Sequence, residues 1–423
     1  MTKSIDGSES KHRLAIALAA SIVLGILVAW SPRFWSVAAL NAAVSAVLVA
    51  WLFSPDFVAS TRRVSLPPEA FVVLALCSWG GLQLLFGWSI APAVSALPAL
   101  EWAVAGIAFF LASQILRSTS ALASFLSVLV FAATVFSLLA VLQTYTAPDE
   151  IFWLFHAEPR SMGTFLYRNQ FAAMLELNAP IALYWIFFRE PMRWPGVFVF
   201  CALLGGAIVS GSRTGTILIV AEFVVILLLA FGRGKIGGKL LLALLPGMLL
   251  VGTGVVLIFG ADRILDRFQE AHPYLLRQEL LKSTIAMFPE HPLVGFGMGA
   301  WKLVYPRFAT FDLGAFANAA HNDWAEWTAE SGFLFSVAIL LLFAVLFRPA
   351  IKSIWGLGFI AIFLHSWVDY PTREPVILVL WLSLAGALST FQKSHGPKAR
   401  RSNSGPQVGK LQEGKLQESK VRE

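Results

Sequence analysis

Residues 196–231 read GVFVFCALLGGAIVSGSRTGTILIVAEFVVILLLAF. Two apolar runs, each long enough to carry a helix across about 30 Å of hydrocarbon, meet at a Gly/Ser turn holding one arginine. Lipid offers the backbone no hydrogen-bond partners, so runs of this kind are helices, and the stretch reads as two full spans or one broken hairpin. The same texture recurs along the chain. Of 423 residues, 57% are hydrophobic and 13% charged, and the mean hydropathy is +0.71. A soluble domain of that composition could not cover its apolar surface. The short alternating segments of a membrane β-barrel are missing from the pattern.

The pattern predicts an all-α integral membrane protein with about 12 transmembrane helices, near 14–30, 34–53, 69–88, 97–116, 120–142, 169–188, 196–211, 213–231, 239–260, 332–347, 350–368 and 374–391. Residues 1–13 form a short N-terminus, 14–260 a bundle of about nine helices, 261–331 one large structured loop, and 332–391 about three more helices. Residues 392–423 are a disordered basic tail, with GKLQE at 409–413 and again at 414–418. The first apolar run follows Lys11, His12 and Arg13 and continues past Ala19-Ala20-Ser21, so it reads as an anchor rather than a cleaved signal.

Basic residues set the orientation. A cytoplasmic N-terminus places Arg62, Arg63, Arg117, Arg189, Arg193, Arg233, Lys235, Lys239, Arg348, Lys352 and the tail inside, as the positive-inside rule requires. The 261–331 loop then lies on the outer face. The net charge of +7 follows from this rim and from anionic headgroups, with no nucleic acid implied. Cys77 and Cys201 fall inside spans and read as packing residues.

The outer face carries arginines that topology does not require: Arg160, Arg168, Arg213, Arg277 and Arg373. One interfacial arginine snorkels to headgroup phosphate, but several on one face point to a shared anionic ligand, because guanidinium donates paired hydrogen bonds and stays charged. In SGSRTG, Arg213 opens a helix whose free N–H groups and positive dipole end would face the same anion. Glu101, Glu176 and Glu222 lie inside spans, where each needs a partner or a proton; an arginine of a neighbouring helix is the expected partner of Glu176.

In the outer loop, RILDRFQEAHPYLLRQELLKS is amphipathic. GFGMGAW reads as a tight backbone turn rather than a dinucleotide loop, with Phe296, Trp301 and Tyr305 expected at the interface. AHNDWAEWTAESG at 320–332 then concentrates polar groups. At a helix start His321 reads either as a satisfied polar group or cap or, since it lacks the H-E-x-x-H spacing of a zinc site, as a residue that transfers a proton near neutral pH. Asn322, Asp323 and Glu326 are its expected supports, and Trp324 and Trp327 its interfacial anchors.

These segments, with GTFLYRNQFAAMLE and HSWVDYPTREP, resemble the O-antigen ligase and polymerase superfamily of bacterial polytopic glycosyltransferases, its exopolysaccharide-associated members in particular. The resemblance covers about residues 160–375; Gln170 stands where the family often has histidine. It implies a multi-pass protein of the bacterial inner membrane with cytoplasmic termini, a periplasmic 261–331 loop and a site on the periplasmic face. It further implies metal-independent transfer, with no cofactor, of a glycan from an undecaprenyl-diphosphate carrier to a hydroxyl of a saccharide, lipid or protein acceptor. On this sequence His321 would be catalytic, and Arg213 and Arg277 would bind the diphosphate with Arg168 and Arg373 as further contacts. Asn169 joins the supporting residues. A polytopic transporter or flippase of lipid-linked saccharides is the alternative. It would show internal repeats and broken helices at matching positions, for which the sequence gives no clear sign.

Overall fold

The computed structural model describes residues 3–54, 64, 66–157, 161–239, 242, 253, 275–310 and 316–395. It is all-α apart from a two-residue antiparallel ladder pairing Glu150–Ile151 (β1) with Phe155–His156 (β2). The helices are α1 (Lys3–Val28), α2 (Arg33–Leu52), α3 (Glu69–Leu85), α4 (Pro92–Ile115), α5 (Thr119–Thr146), α6 (Arg168–Phe188), α7 (Arg193–Ser210) and α8 (Arg213–Gly232). They continue with α9 (Leu275–Met287), α10 (Trp301–Phe308), α11 (Asp323–Ser353), α12 (Leu357–His365) and α13 (Pro375–His395).

Among the described residues, eight helices are long and apolar enough to cross a membrane, and Glu69–Leu85 and Pro375–Phe391 are shorter apolar helices. The 196–231 stretch is two separate helices, α7 and α8, joined at Gly211, which takes the left-handed conformation at φ 65°. The expected span at 350–368 is not a full-length helix. Helix α12 has 9 residues, about 14 Å of rise, and covers less than half of the hydrocarbon. The expected span at 239–260, the amphipathic 261–274 and the tail beyond 395 lie outside the described residues.

Helix α6 is buried along nearly its whole length, and so is α13 from Val376 to Leu388. Apolarity on every side of a helix is the mark of a position enclosed by others. The close approach of α13 to α4 depends on Gly386, where a Cβ would stand 2.3 Å from the Phe109 carbonyl oxygen.

The described part of the 261–331 segment is compact. Helices α9 and α10 enclose a small core of Leu280, Met287, Phe296, Trp301, Val304 and Tyr305. The aromatic residues expected at the interface are thus interior, with the Trp301 indole N–H donating to Thr284 Oγ1 at 2.9 Å. Helix α11 breaks at Gly332, whose φ of 79° and ψ of 173° no other residue adopts comfortably. The segment after α9 passes through this break: Phe296 N and Gly297 N donate to the carbonyls of Ala329 and Glu330 at 2.9 and 2.8 Å, and Phe333 N to that of Pro292 at 2.8 Å. A Cβ on Gly332 would meet the Leu293 oxygen at 2.1 Å. Of the GFGMG glycines, Gly295 lies backbone against backbone, a Cβ there standing 2.2 Å from the Glu330 carbonyl carbon, whereas a Cβ on Gly297 or Gly299 would first meet the side chains of Ser89 or Pro98.

Gln83 of α3 fastens the crossing. Its amide donates to Val294 O (2.6 Å) and Glu330 O (2.8 Å) and accepts from Met298 N (3.1 Å), with no exposure. Replacing it with leucine leaves buried peptide groups unpaired, at about 1–3 kcal/mol each. Gln83→Leu is expected to lower the unfolding midpoint in detergent clearly. An unchanged midpoint would show that the crossing stands without this side chain.

Candidate active site

Asp323, Glu326 and Glu330 recur at i, i+3 and i+7 and therefore share one face of the first part of α11. That face is buried against the segment between α12 and α13. Asp323 Oδ2 accepts from Ser366 Oγ (3.1 Å), Thr372 N (3.1 Å) and Thr372 Oγ1 (2.8 Å), while its backbone N–H donates to the carbonyls of Ser366 and Asp369. The Arg373 guanidinium bonds Glu326 Oε1 and, at 2.7 Å, Glu330 Oε1. Burial would weaken its hold on the proton, but the two carboxylates outweigh burial and keep it a cation. The second oxygen of Glu326 accepts from Ala320 N at 3.2 Å, next to His321.

His321 has φ 53°, a left-handed conformation uncommon for a residue with a Cβ. The adjacent bonds hold it there: Glu326 ties Ala320, and Asn322 caps α11 by accepting from Ala325 N at 2.9 Å while donating to Trp367 O at 2.7 Å. The imidazole turns toward Asp369, with Nδ1 3.3 Å from Oδ1, and lies edge-on to Tyr370 and Tyr167, whose own rings stack at 5.3 Å.

Asp369 is where the site converges. Besides His321, it accepts from Asn169 at the start of α6, from Arg277 of α9 at 3.3 Å and from Tyr370 N at 3.0 Å. Arg277 also donates to Val368 O at 2.8 Å. Burial pushes the Asp369 carboxyl up, but the His321 hydrogen bond and the charges of Arg277, His321 and His365 outweigh it and hold the group below its ordinary range. The Tyr370 phenol is pushed up, chiefly by burial and then by Tyr167 and Asp369, and keeps its proton.

Helix α8 brings Arg213 to the same end of the bundle. Ser212 caps it by accepting from Gly215 N at 3.3 Å, and a Cβ on Gly215 would stand 2.5 Å from Ala172 Cβ of α6. The first turn of α8 thus lies against α6 at Ala172, one turn beyond Arg168 and Asn169. Arg168 Nε is buried without a hydrogen-bond partner among the described residues.

Several sequence expectations find different partners. Arg373 is engaged by Glu326 and Glu330. Asp323 fixes the 366–372 segment, and the imidazole is oriented by Asp369. Glu176 pairs with His365 rather than with an arginine, at 2.9 and 3.0 Å to Nδ1. Glu101 does pair, with Arg33 at 2.9 and 2.7 Å. Trp324 and Trp327 are buried, Trp324 stacking on Trp367 at 5.2 Å, because the first part of α11 packs inside the bundle. Sequence reasoning missed Asp369, Tyr370 and Tyr167. The signal available was HSWVDYPTREP for Asp369 and Tyr370, a polar run between two apolar helices, and GTFLYRNQFAAMLE for Tyr167. Among the described residues no three His, Cys, Asp or Glu side chains converge as metal ligands.

Residues 196–335 match the family model described as O-antigen ligase. The match begins in α7, takes in Arg213, Arg277 and His321, and ends within α11 before Asp369. No match was found among curated proteins.

Proposed function

From the match of residues 196–335 to the O-antigen ligase family model in a helical chain with membrane-length apolar helices, we propose a glycosyltransferase that moves a glycan from an undecaprenyl-diphosphate carrier to an acceptor hydroxyl at the periplasmic face of the inner membrane. The observation that carries this reading is the convergence of His321, Asp369 and Arg277 beside the N-termini of α6 and α8.

Asp369 accepts a hydrogen bond from the Nδ1–H of His321, leaving the Nε2 lone pair to take the proton of an acceptor hydroxyl. The deprotonated oxygen attacks the anomeric carbon from the side opposite the diphosphate. The glycosidic C–O bond breaks with its electron pair passing to the phosphate, and the sugar inverts. Arg213, Arg277 and Arg168, with the two helix N-termini, bind the diphosphate and meet the charge that grows on it, the task a divalent ion performs elsewhere. Arg373, tied to Glu326 and Glu330, enters as the residue that positions α11 beneath His321. Asn322, Asp323, Glu326 and Asn169 hold the frame. Residues 1–13 and the tail face the cytoplasm in this reading, and 261–331 the periplasm.

Arg277→Ala is expected to lower transfer by roughly 10²–10³-fold, the usual loss for one donor at a developing anion, with Arg277→Lys recovering part of it. Full activity of the alanine variant in a lipid-linked donor assay would remove Arg277 from the site. The test of the function is electrophoresis of surface and lipid-linked glycans from cells lacking the protein. A ladder cut to one repeat unit indicates a polymerase, and full-length polymer stranded on its carrier a ligase. Unchanged glycans with altered solute uptake would favour the transporter alternative.

A further inference from the structure

Below the site, Glu176 of α6 and His365 of α12 are bonded to each other, and Glu222 of α8 acts on Glu176 through space; the transfer reaction uses none of the three. Glycines bring their helices together. A Cβ on Gly215 of α8 would lie 2.9 Å from Glu176 Oε1, and one on Gly358 of α12 would lie 2.8 Å from Leu177 Cα. His365 and Glu176 have no exposure and Glu222 only 6%. His365 Nδ1 is shared by both oxygens of Glu176, whereas His365 Nε2 and both Glu222 oxygens lack a hydrogen-bond partner among the described residues.

Such a set cannot rest in its ordinary solution state. Two carboxylates beside a neutral imidazole would place a charge of −2 inside the bundle, and an unpaired charge within a membrane is costly to hold. The groups facing the cluster add little positive charge. From α6 there is Glu176 itself and, two turns outward, Arg168; from α8, Glu222; from α11, Asp323; and from the segment after α12, Asp369, already shared by His321 and Arg277. Asp323 and Asp369 both act on His365 through space.

We propose that Glu176, His365 and Glu222 form a buried proton-binding site that holds two protons at neutral pH, one shared in the Glu176–His365 pair and one on Glu222. Its net charge is then zero. The unpaired polar atoms mark places for enclosed water. The site is joined to the surface chemistry through the end of α12, because His365 O accepts from both Val368 N and Asp369 N at 3.0 Å. Loss of the Glu222 proton at alkaline pH leaves a net negative charge under that helix end and disturbs the seating of Asp369. Glu222 is thereby a positioning residue.

Infrared spectroscopy of the whole protein in lipid nanodiscs tests the proposal without turnover, so the result does not depend on the proposed function. The expected result is a protonated-carboxyl carbonyl band at neutral pH that fades on alkaline titration and is missing from Glu222→Gln. A spectrum unchanged by Glu222→Gln, or wild-type protein without the band, overturns it. Should Glu222→Gln fail to insert, Glu222→Asp must shift the band, and an unshifted band overturns the proposal equally. In the transfer assay, Glu222→Gln is expected to retain activity at alkaline pH where the wild type has lost at least tenfold. Coincident alkaline limbs would reduce the cluster to packing.

Discussion

Asp369→Asn is expected to lower glycan transfer by roughly 10³–10⁴-fold with membrane abundance unchanged, the loss typical when the carboxylate orienting a catalytic imidazole becomes an amide. The cause is the proton on the wrong nitrogen. A carboxylate can only accept, so it fixes the Nδ1–H tautomer of His321 and leaves Nε2 as a base. An amide can present its own N–H to Nδ1, which moves the proton to Nε2 and removes the base. Shape and volume barely change, and Asn169 and Arg277 still find an oxygen at the Oδ2 position, while Tyr370 N, which shares Oδ1 with His321, gives up its acceptor. His321→Ala should abolish transfer to a similar degree, and the double variant should be little worse than either alone, because the two residues act as a unit. Since Asp369 is held below the ordinary carboxylate range, it stays ionised throughout neutral and mildly acid pH. Its contribution to the seating of the 366–374 segment is present above the ordinary carboxylate value and is lost only as pH falls through the lowered one. Transfer by Asp369→Asn within tenfold of wild type, at equal abundance, would sink the dyad.

The helical membrane architecture was legible because it follows from apolar run length, a property local to the sequence. The site was legible in part for the same reason. Helix starts announce themselves through SGSRTG and AHNDW, and arginines that the positive-inside pattern does not require stand out in the sequence. Partner choice was not legible. Nothing in the spacing of Asp369 to His321, 48 residues apart, or of Glu176 to His365, 189 apart, says that they meet. The short α12 was read as part of a longer span because hydropathy continues smoothly across 350–368, while the helix itself starts only at Leu357 and ends at His365. The aromatic residues of GFGMGAW and HNDWAEW were read as interfacial because tryptophan at a helix end usually is. Here the break at Gly332 folds the first part of α11 inward and buries them.

Arg373→Met is expected to destabilise the protein by about 3–5 kcal/mol, the usual consequence of removing one member of a buried ion pair. Glu326 and Glu330 are 1% and 6% exposed and lose the cation that both of them bond. Glu326 also holds Ala320 N, and Glu330 accepts from Trp301 N at 2.9 Å, so the damage spreads to His321 on one side and to the GFGMG crossing on the other. Neutralising the carboxylates separates this structural role from a contact with the donor diphosphate. Adding Glu326→Gln and Glu330→Gln to Arg373→Met removes the buried negative charge, and the triple variant should recover most of the lost stability, measured as the unfolding midpoint in detergent. If Arg373 serves only to seat α11 under His321, transfer returns with the fold. If it touches the diphosphate, the triple variant folds but stays roughly 10²-fold or more below wild type. The ion pairs point to the first outcome, because a guanidinium already bonded to two carboxylates has little positive charge left to offer a third anion.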